Sequence, residues 1–567
     1  MRKTKVVLAK VLTAAMVISS FAGVQGITSE AAAKPKLSKK SVSITVGKTK
    51  KITIKNAKKY KVSWKMKSKK VASFKKSGKY AVKVTAKKAG KTTLTAKIKK
   101  GKKTKKLVCK ITVKKNSPKV TKTPVNTPTT SPSNVPKTTE VPIVKPTATA
   151  TAEPQDTTPA MKEIFKGVID NVGTCLTYNQ TWNNRKEMQD ASTMEFVDKH
   201  FNSFTLENEM KPDNMLNKKT TISVADAKAK GYVISDDYKE STVPELTLET
   251  IDGVLAIAKQ HNIRMRAHTL MWHQQTPTWF FKKNYDDNEA VVDEATMNAR
   301  LEFFVRTVMR YTMQKEKELT GEVGSIVYAW DVLNEYIHRS NAAAATTWVS
   351  VYGDMGLKPT YVKAAFEYAY DELKKENVQD KVTLFYNDYD TYFSVDDELA
   401  LISYINEGEE AKICGGIGMQ SHVDIKRPTL EEYGNALKAF INAGLEVQIT
   451  ELDITINFDT DDTDGRTPTY AYKNEKETDA DQAAFTKDFI KQIVDIQKNR
   501  DKTISPKGIT GITVWGISDQ TSWRGSCKPL FFTRKSVRVK DETTGKYKTV
   551  YSYVPKKSYE AMIEALK

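Results

Sequence analysis

The chain predicts an α/β protein, a (β/α)8 TIM barrel preceded by a small all-β sandwich. Three observations carry that prediction. From Met161 onward β-like runs alternate with helix-like ones, the signal for parallel strands joined by crossover helices. Eight strand candidates can be counted there, and eight repeats over about 400 residues fit a barrel with enlarged loops. Between Lys34 and Lys115 the pattern is instead one of short alternating stretches separated by glycines, which argues strands on a small sandwich. At 567 residues the chain has room for two or more domains.

Residues 1–33 set the expected compartment. Arg2, Lys3 and Lys5 precede an apolar stretch from Val11 to Val24, and small residues follow at Gly26 and Ala31 to Ala33. That is the layout of a secretory signal peptide, cut at about 26–33. The apolar run is broken by Thr13, Ser19 and Ser20 and is shorter than the ~20 residues a bilayer needs. No later run is long enough to span a membrane, so the mature chain is expected to be secreted without a transmembrane segment, with cell-surface association left open.

Residues 34–115 hold 32 lysines and no Asp or Glu, which leaves −8 on the rest of a chain whose net charge is +24. The basic character therefore belongs to one module, and export argues against nucleic acid as its partner. Expected strands include Val42 to Val46, Lys51 to Ile54, Ala81 to Val84 and Leu107 to Val113, with turns at Gly47, Gly78, Gly90 and Gly101. Val62 and Trp64 can share the inner face with period 2. The pieces Val62-Ser63-Trp64, Lys70-Val71-Ala72 and Ala86-Lys87-Lys88-Ala89-Gly90 resemble the bacterial immunoglobulin-like modules of exported surface proteins. Two roles fit the uncompensated charge equally well: contact with an anionic cell-wall polymer or acidic plant polysaccharide, or a solubilising spacer. Residues 116–160 contain nine of the nineteen prolines and twelve threonines, the composition of an extended linker. Residues 161–567 form the expected barrel domain.

Within that domain the eight strands are expected to end near Leu176, Glu209, His273, Glu335, Asp390, His422, Ile454 and Asp519. Amphipathic helices are expected over Leu248 to His261, Ala295 to Lys315, Tyr361 to Lys375, Asp397 to Ile405, Thr429 to Ala443 and Asp481 to Lys498. Thr429 with Glu432 forms a capping box. Four scattered cysteines, Cys109, Cys175, Cys414 and Cys527, make no CxxC pattern. A bridge between Cys175 and Cys527 stays open, since the first and eighth strands are neighbours in a closed barrel.

Polar residues at the carboxyl ends of barrel strands mark the active face of this fold. They concentrate at Glu207-Asn208-Glu209-Met210-Lys211, His268 to Gln275, Trp330 to Glu335, Asn387-Asp388, Gln420-Ser421-His422, Glu451-Leu452-Asp453, and Trp515 with Asp519, Trp523 and Arg524. Carboxylates and amides bind hydroxyls, and indole faces stack on pyranose rings, so the blend suits a sugar. No glycine-rich phosphate loop follows a strand and the histidines lack zinc-site spacing, so neither cofactor nor metal is expected. Asp459, Asp461, Asp462 and Asp464 lack EF-hand spacing and read as a solvated loop. Glycosidic hydrolysis needs one protonated and one ionised carboxyl group, and Glu335 and Glu451 are the natural pair.

Trp330-Asp331-Val332-Leu333-Asn334-Glu335 and Ile449-Thr450-Glu451-Leu452-Asp453 resemble the two signatures of glycoside hydrolase family 10, the retaining xylanases. The strand-end motifs match that family in order from Met161 to Leu566. The resemblance implies Glu335 as general acid/base, Glu451 as nucleophile, and Asn334 on the sugar 2-hydroxyl. It also implies that His422 contacts Glu451 with Asp453 behind it. Glu207, Asn208, Lys211, His268, Trp272, Gln275, Gln420, Trp515 and Trp523 would line the glycone subsites, with xylan and xylo-oligosaccharides as substrates. Pro212 after Lys211, and Cys414-Gly415-Gly416 before the sixth strand, depart from the family pattern. Two other readings stand beside it: a β-glucanase or cellulase on the same barrel, and a non-catalytic carbohydrate-binding protein that kept the fold.

Overall fold

The computed structural model describes residues 35–114 except 40, 47, 56, 58, 59, 101 and 102, then 158–180, 185–339, 345–456, 475–540, 545 and 547–567. The expected signal segment, most of the expected linker and the acidic loop from Asp459 to Asp464 lie outside the described residues. The chain divides into two compact units at residue 148.

The N-terminal unit is all-β, as its alternation predicts. One four-stranded sheet runs Lys36–Leu37, Thr49–Lys55, Ala81–Ala86, Ala72–Gly78, and the other runs Ser41–Thr45, Lys103–Lys114, Gly90–Lys100, Lys61–Met66. Period-2 alternation turns one side of each strand inward: Ile52, Val82 and Val84 of the first sheet meet Leu94, Cys109 and Ile111 of the second in one buried cluster. Val62 and Trp64 are both half-buried on the inner side.

The second unit is a closed barrel of eight parallel strands: Asn171–Leu176, Ser203–Leu206, Arg264–Trp272, Val327–Asn334, Thr383–Asp388, Gly416–Met419, Glu446–Thr455 and Ile509–Val514. Each pairs with its sequence neighbour, the eighth pairs with the first, and the sixth pairs with the seventh. The expected crossover helices are present, Glu249–His261, Glu294–Thr320, Thr360–Lys375, Val395–Ile405, Leu430–Asn442 and Glu475–Asn499 among them. Thr429 and Glu432 close the capping box reciprocally.

Three strands stop short of the expected ends. The second ends at Leu206, because the Glu209 carboxylate turns back to accept from the backbone N–H groups of Tyr178 and Asn179 at 2.8 and 3.1 Å. The sixth ends at Met419, since Ser421 takes a left-handed backbone (φ 60°) and His422–Asp424 forms a separate short strand beside Asp453–Thr455. The eighth ends at Val514, ahead of Gly516 at φ 125°. An antiparallel hairpin, Phe532–Lys540 with Tyr547–Pro555, was not among the expected elements; Tyr553 seats it against Phe196, 4.3 Å between ring centroids. All four cysteines are buried and free, so no bridge joins Cys175 and Cys527. Among the described residues no helix is long and apolar enough to cross a membrane.

The middle of the barrel is braced by charge. Arg266 of the third strand is fully buried, donates to Asp331 of the fourth and, at 2.8 Å, to Gln448 Oε1 of the seventh, and lies over the Phe385 ring of the fifth. The sixth strand contributes Gly418 at this level, where a Cβ would collide with both Asn387 and Arg266. Removing one member of a buried pair strands the other without a partner. Arg266→Met is therefore expected to cost about 3–5 kcal/mol of stability, read as a lower denaturant midpoint of the barrel unit; an unchanged midpoint would refute the brace.

Candidate active site

The fourth strand ends at Asn334, and the chain must turn at once for Glu335 to face the barrel mouth. Glu335 does so in the left-handed region (φ 57°), and its N–H donates to the Asn387 carbonyl at 2.8 Å. Two residues on, the Ile337 N–H donates to the Tyr386 hydroxyl at 3.0 Å, so the fifth strand holds the turn. The carboxylate accepts from Trp272 Nε1 at 2.9 Å, Gln274 Nε2 at 3.3 Å and Gln420 Nε2 at 3.0 Å. It is 7% exposed. Burial above all, then the charges of Asp388 and Glu451, push its pKa up to about 7, against the pull of its amide and indole donors.

Glu451 sits in the seventh strand where the ladder to the eighth slips register between Ile449 and Leu452, a bulge that re-aims side chains. Its carboxylate accepts from Asn387 Nδ2 at 3.0 Å and lies 3.2 Å from His422 Nε2. The other ring nitrogen of His422 is 2.8 Å from Asp453 Oδ2. Burial alone would lower the histidine pKa, but Asp453 and Glu451 overcome it and raise it to about 9. Burial alone would likewise raise Glu451; the His422 hydrogen bond and the positive fields of His268, His422 and Lys211 reverse that and hold it near 2. Around neutrality one glutamate is half protonated and its neighbour fully ionised.

The other expected residues gather around this pair. Asn334 Oδ1 accepts from Asn387 Nδ2 at 2.8 Å and Gln420 Nε2 at 3.3 Å, so a chain of amides links the two carboxylates. Asp453 also accepts from Trp523 Nε1 at 3.1 Å and Arg524 at 3.3 Å. Trp523 packs edge-on against His422, and Trp515 against both His422 and His268. His268 is buried with Nδ1 2.9 Å from Asp331 Oδ2, which ties the site to the Arg266 brace. At the second strand, Lys211 lies over the Trp272 ring at 4.8 Å, and Asn208 Oδ1 accepts from Lys211 and Gln275, each at 3.4 Å. Glu207 is held by Gln180 at 2.7 Å and Arg185 at 2.6 Å.

Sequence reasoning missed several of these partners. Asn387, which bridges Asn334 and Glu451, was visible only as a polar residue on the fifth strand. Gln274 fell inside the strand-end run His268 to Gln275 but was given no role. Gln180 and Arg185 belong to the loop after the first strand, where no motif marks them. His338, Asp388 and Glu398 bring potential ligand atoms within 4.8 Å of one another. Asp388 is engaged there by His338 Nδ1 at 2.9 Å and by the Tyr386 hydroxyl.

With that geometry in view, the family model for glycosyl hydrolase family 10 matches residues 160–551. The chain belongs to this family. A relative, endo-1,4-beta-xylanase A of Butyrivibrio fibrisolvens, is 41% identical over 352 residues, 62% of this chain and 76% of that protein. Endo-1,4-beta-xylanase B of the same organism is 32% identical over 344 residues, 59% of this chain, but the chain spans only 46% of its length. A solved family 10 xylanase from termite gut that contains a bacterial Ig-like domain superposes with a TM-score of 0.50 at 19% identity, covering 93% of this chain and 98% of that one. At that identity the likeness speaks to fold alone.

The unequal environments of the two carboxyls are open to direct measurement. Carbon-13 NMR is expected to give a Glu335 midpoint at about 7 and no titration of Glu451 above pH about 3. Asp388→Asn should lower the Glu335 midpoint, because Asp388 is a source of the repulsion that raises it. A Glu335 midpoint at the ordinary ~4.3 would contradict the electrostatic account.

Proposed function

We propose that the chain is a secreted endo-1,4-β-xylanase that cleaves internal bonds of xylan with retention of configuration, Glu335 acting as general acid/base and Glu451 as nucleophile. The observation that carries the assignment of roles is the opposite pKa displacement of two glutamates in one amide-linked site. The protonated Glu335 gives its proton to the leaving glycosidic oxygen while the Glu451 carboxylate attacks the anomeric carbon, forming a glycosyl ester and releasing the aglycone. Glu335, now ionised, then takes a proton from water as the water oxygen displaces Glu451. His422, backed by Asp453, keeps the free Glu451 carboxylate ionised before it attacks and again when it leaves. Asn334 would bind the sugar 2-hydroxyl, with Glu207, Asn208, Lys211, Trp272, Gln275, Gln420, Trp515 and Trp523 around the glycone. The names of the curated relatives support xylan as the polymer.

The expected outcome on linear xylan is release of β-configured reducing ends, followed by mutarotation, in time-resolved proton NMR; initial α-configuration, or faster hydrolysis of carboxymethylcellulose, would sink the proposal. The acid must carry its proton, so kcat/KM should fall as pH rises through about 7. Glu335→Ala should cost ~10²–10⁴-fold on xylan and abolish that alkaline limb.

The export reading rests on the layout of residues 1–33, and a mature N-terminus between residues 26 and 33 in the culture medium is its test. The reading of residues 34–115 as a bacterial immunoglobulin-like module is supported by the two-sheet fold and by the termite-gut likeness.

A further inference from the structure

The lysines of the N-terminal unit are arranged, not scattered. Lys51, Lys83 and Lys75 stand directly opposite one another across three adjacent strands. On the other sheet Lys97 faces Lys106, and Lys99 faces Lys61. All seven are exposed, while Ile52, Val82 and Ile98 beside them point into the core. Neighbouring strands lie ~4.8 Å apart, so each row sets like charges side by side, an arrangement that destabilises a sheet. No Asp or Glu between residues 34 and 115 relieves it.

Two ordinary explanations fall short. Lysines on edge strands block unwanted pairing. Lys83, Lys97, Lys99 and Lys106, however, lie on inner strands of their sheets. Solubility asks for a modest net charge with both signs interspersed, not 32 charges of one sign. The outward positions next to the rows carry hydroxyls, Thr49, Thr85 and Ser73 on one sheet and Ser63 and Thr104 on the other, and no aromatic ring on which a pyranose would stack. All the cations between residues 34 and 115 are lysine, point charges with no arginine fork to fix any one oxyanion bidentately, so they suit a repeating row of anions such as phosphates and not a single gripped group.

We propose that these two sheet faces bind a linear phosphodiester polymer of the cell wall by charge alone and so hold the enzyme at the surface. The inference rests on the export reading and not on the chemistry of the barrel. The polymer's phosphates would neutralise the lysine rows, which gives the unfavourable like-charge pairs a use.

The test compares retention of the full-length chain on intact cell walls and on walls stripped of phosphodiester polymer with hydrofluoric acid. Retention is expected on intact walls, to fall tenfold or more between roughly 50 and 500 mM salt, and to disappear on stripped walls. A variant combining Lys51→Gln, Lys75→Gln, Lys83→Gln, Lys97→Gln and Lys106→Gln should lose about tenfold in retention while the N-terminal unit melts at a higher temperature. Its hydrolysis of soluble xylo-oligosaccharide should not change. Removing five exposed lysines of the barrel unit, Lys166, Lys317, Lys381, Lys487 and Lys491, should leave retention within about twofold, since their charges stand beside acidic partners. Retention that survives stripping, tighter binding to duplex DNA or to neutral xylan, or a row variant that melts lower would each overturn the proposal. Failed retention by a chain whose mature N-terminus is as expected refutes the docking and leaves export standing.

Discussion

Two carboxyl groups buried in one cleft cannot both ionise at low cost, and the rest of the active face is organised around that constraint. Burial raises the cost of either charge, and the charges of Asp388 and Glu451 add to it at Glu335. The protein resolves the conflict by giving only one of the two a cation. Glu451 receives the imidazolium of His422, itself kept charged by Asp453, whereas Glu335 receives neutral donors and the anionic neighbour Asp388. Difference in charge state thus follows from difference in partners, since both carboxylates are almost equally buried.

That asymmetry depends on backbone placement, which the barrel supplies from three strands. A left-handed residue ends the fourth strand, a second at Ser421 ends the sixth, and a register slip marks the seventh. Each departure from regular strand geometry turns a polar side chain over the mouth instead of into the ladder. Beneath them Arg266 and Asp331 tie the third, fourth and seventh strands together, and Asp331 also orients His268, one of the positive neighbours of Glu451. The scaffold and the chemistry therefore share a residue.

The two units handle charge in opposite ways. In the barrel, charges are paired within the fold: Arg185 with Glu187 and Glu207, Arg306 and Arg310 with Glu372, Lys507 with Glu446. Residues 34–115 offer their lysines no Asp or Glu to pair with, and the core beneath them is a small aliphatic cluster. One unit spends its electrostatics on its own site; the other leaves them outward.

What was legible in the sequence was whatever repeats or sits at a fixed place in a repeat. Period 2 against period 3.6 separated sandwich from barrel, and the strand-end rule singled out Glu335, Glu451, His422 and Asp453, because position along a strand decides which end of the barrel a residue occupies. The hairpin from Phe532 to Pro555 and the partners Gln180 and Arg185 were not marked in this way, and Gln274 and Asn387 were marked only by position, without a role. They act through closure in space: Arg185 reaches Glu207 from a loop, and Asn387 touches Asn334 and Glu451 only because fourth, fifth and seventh strands converge at the mouth. By itself the sequence determined the fold and the family and pointed to the two glutamates, since those depend on local order along the chain. The resemblance already implied which glutamate is the acid; the cause of the raised Glu335 pKa and the lowered Glu451 pKa was decided only in the tertiary structure, because a pKa is set by burial and by charges brought close from distant segments.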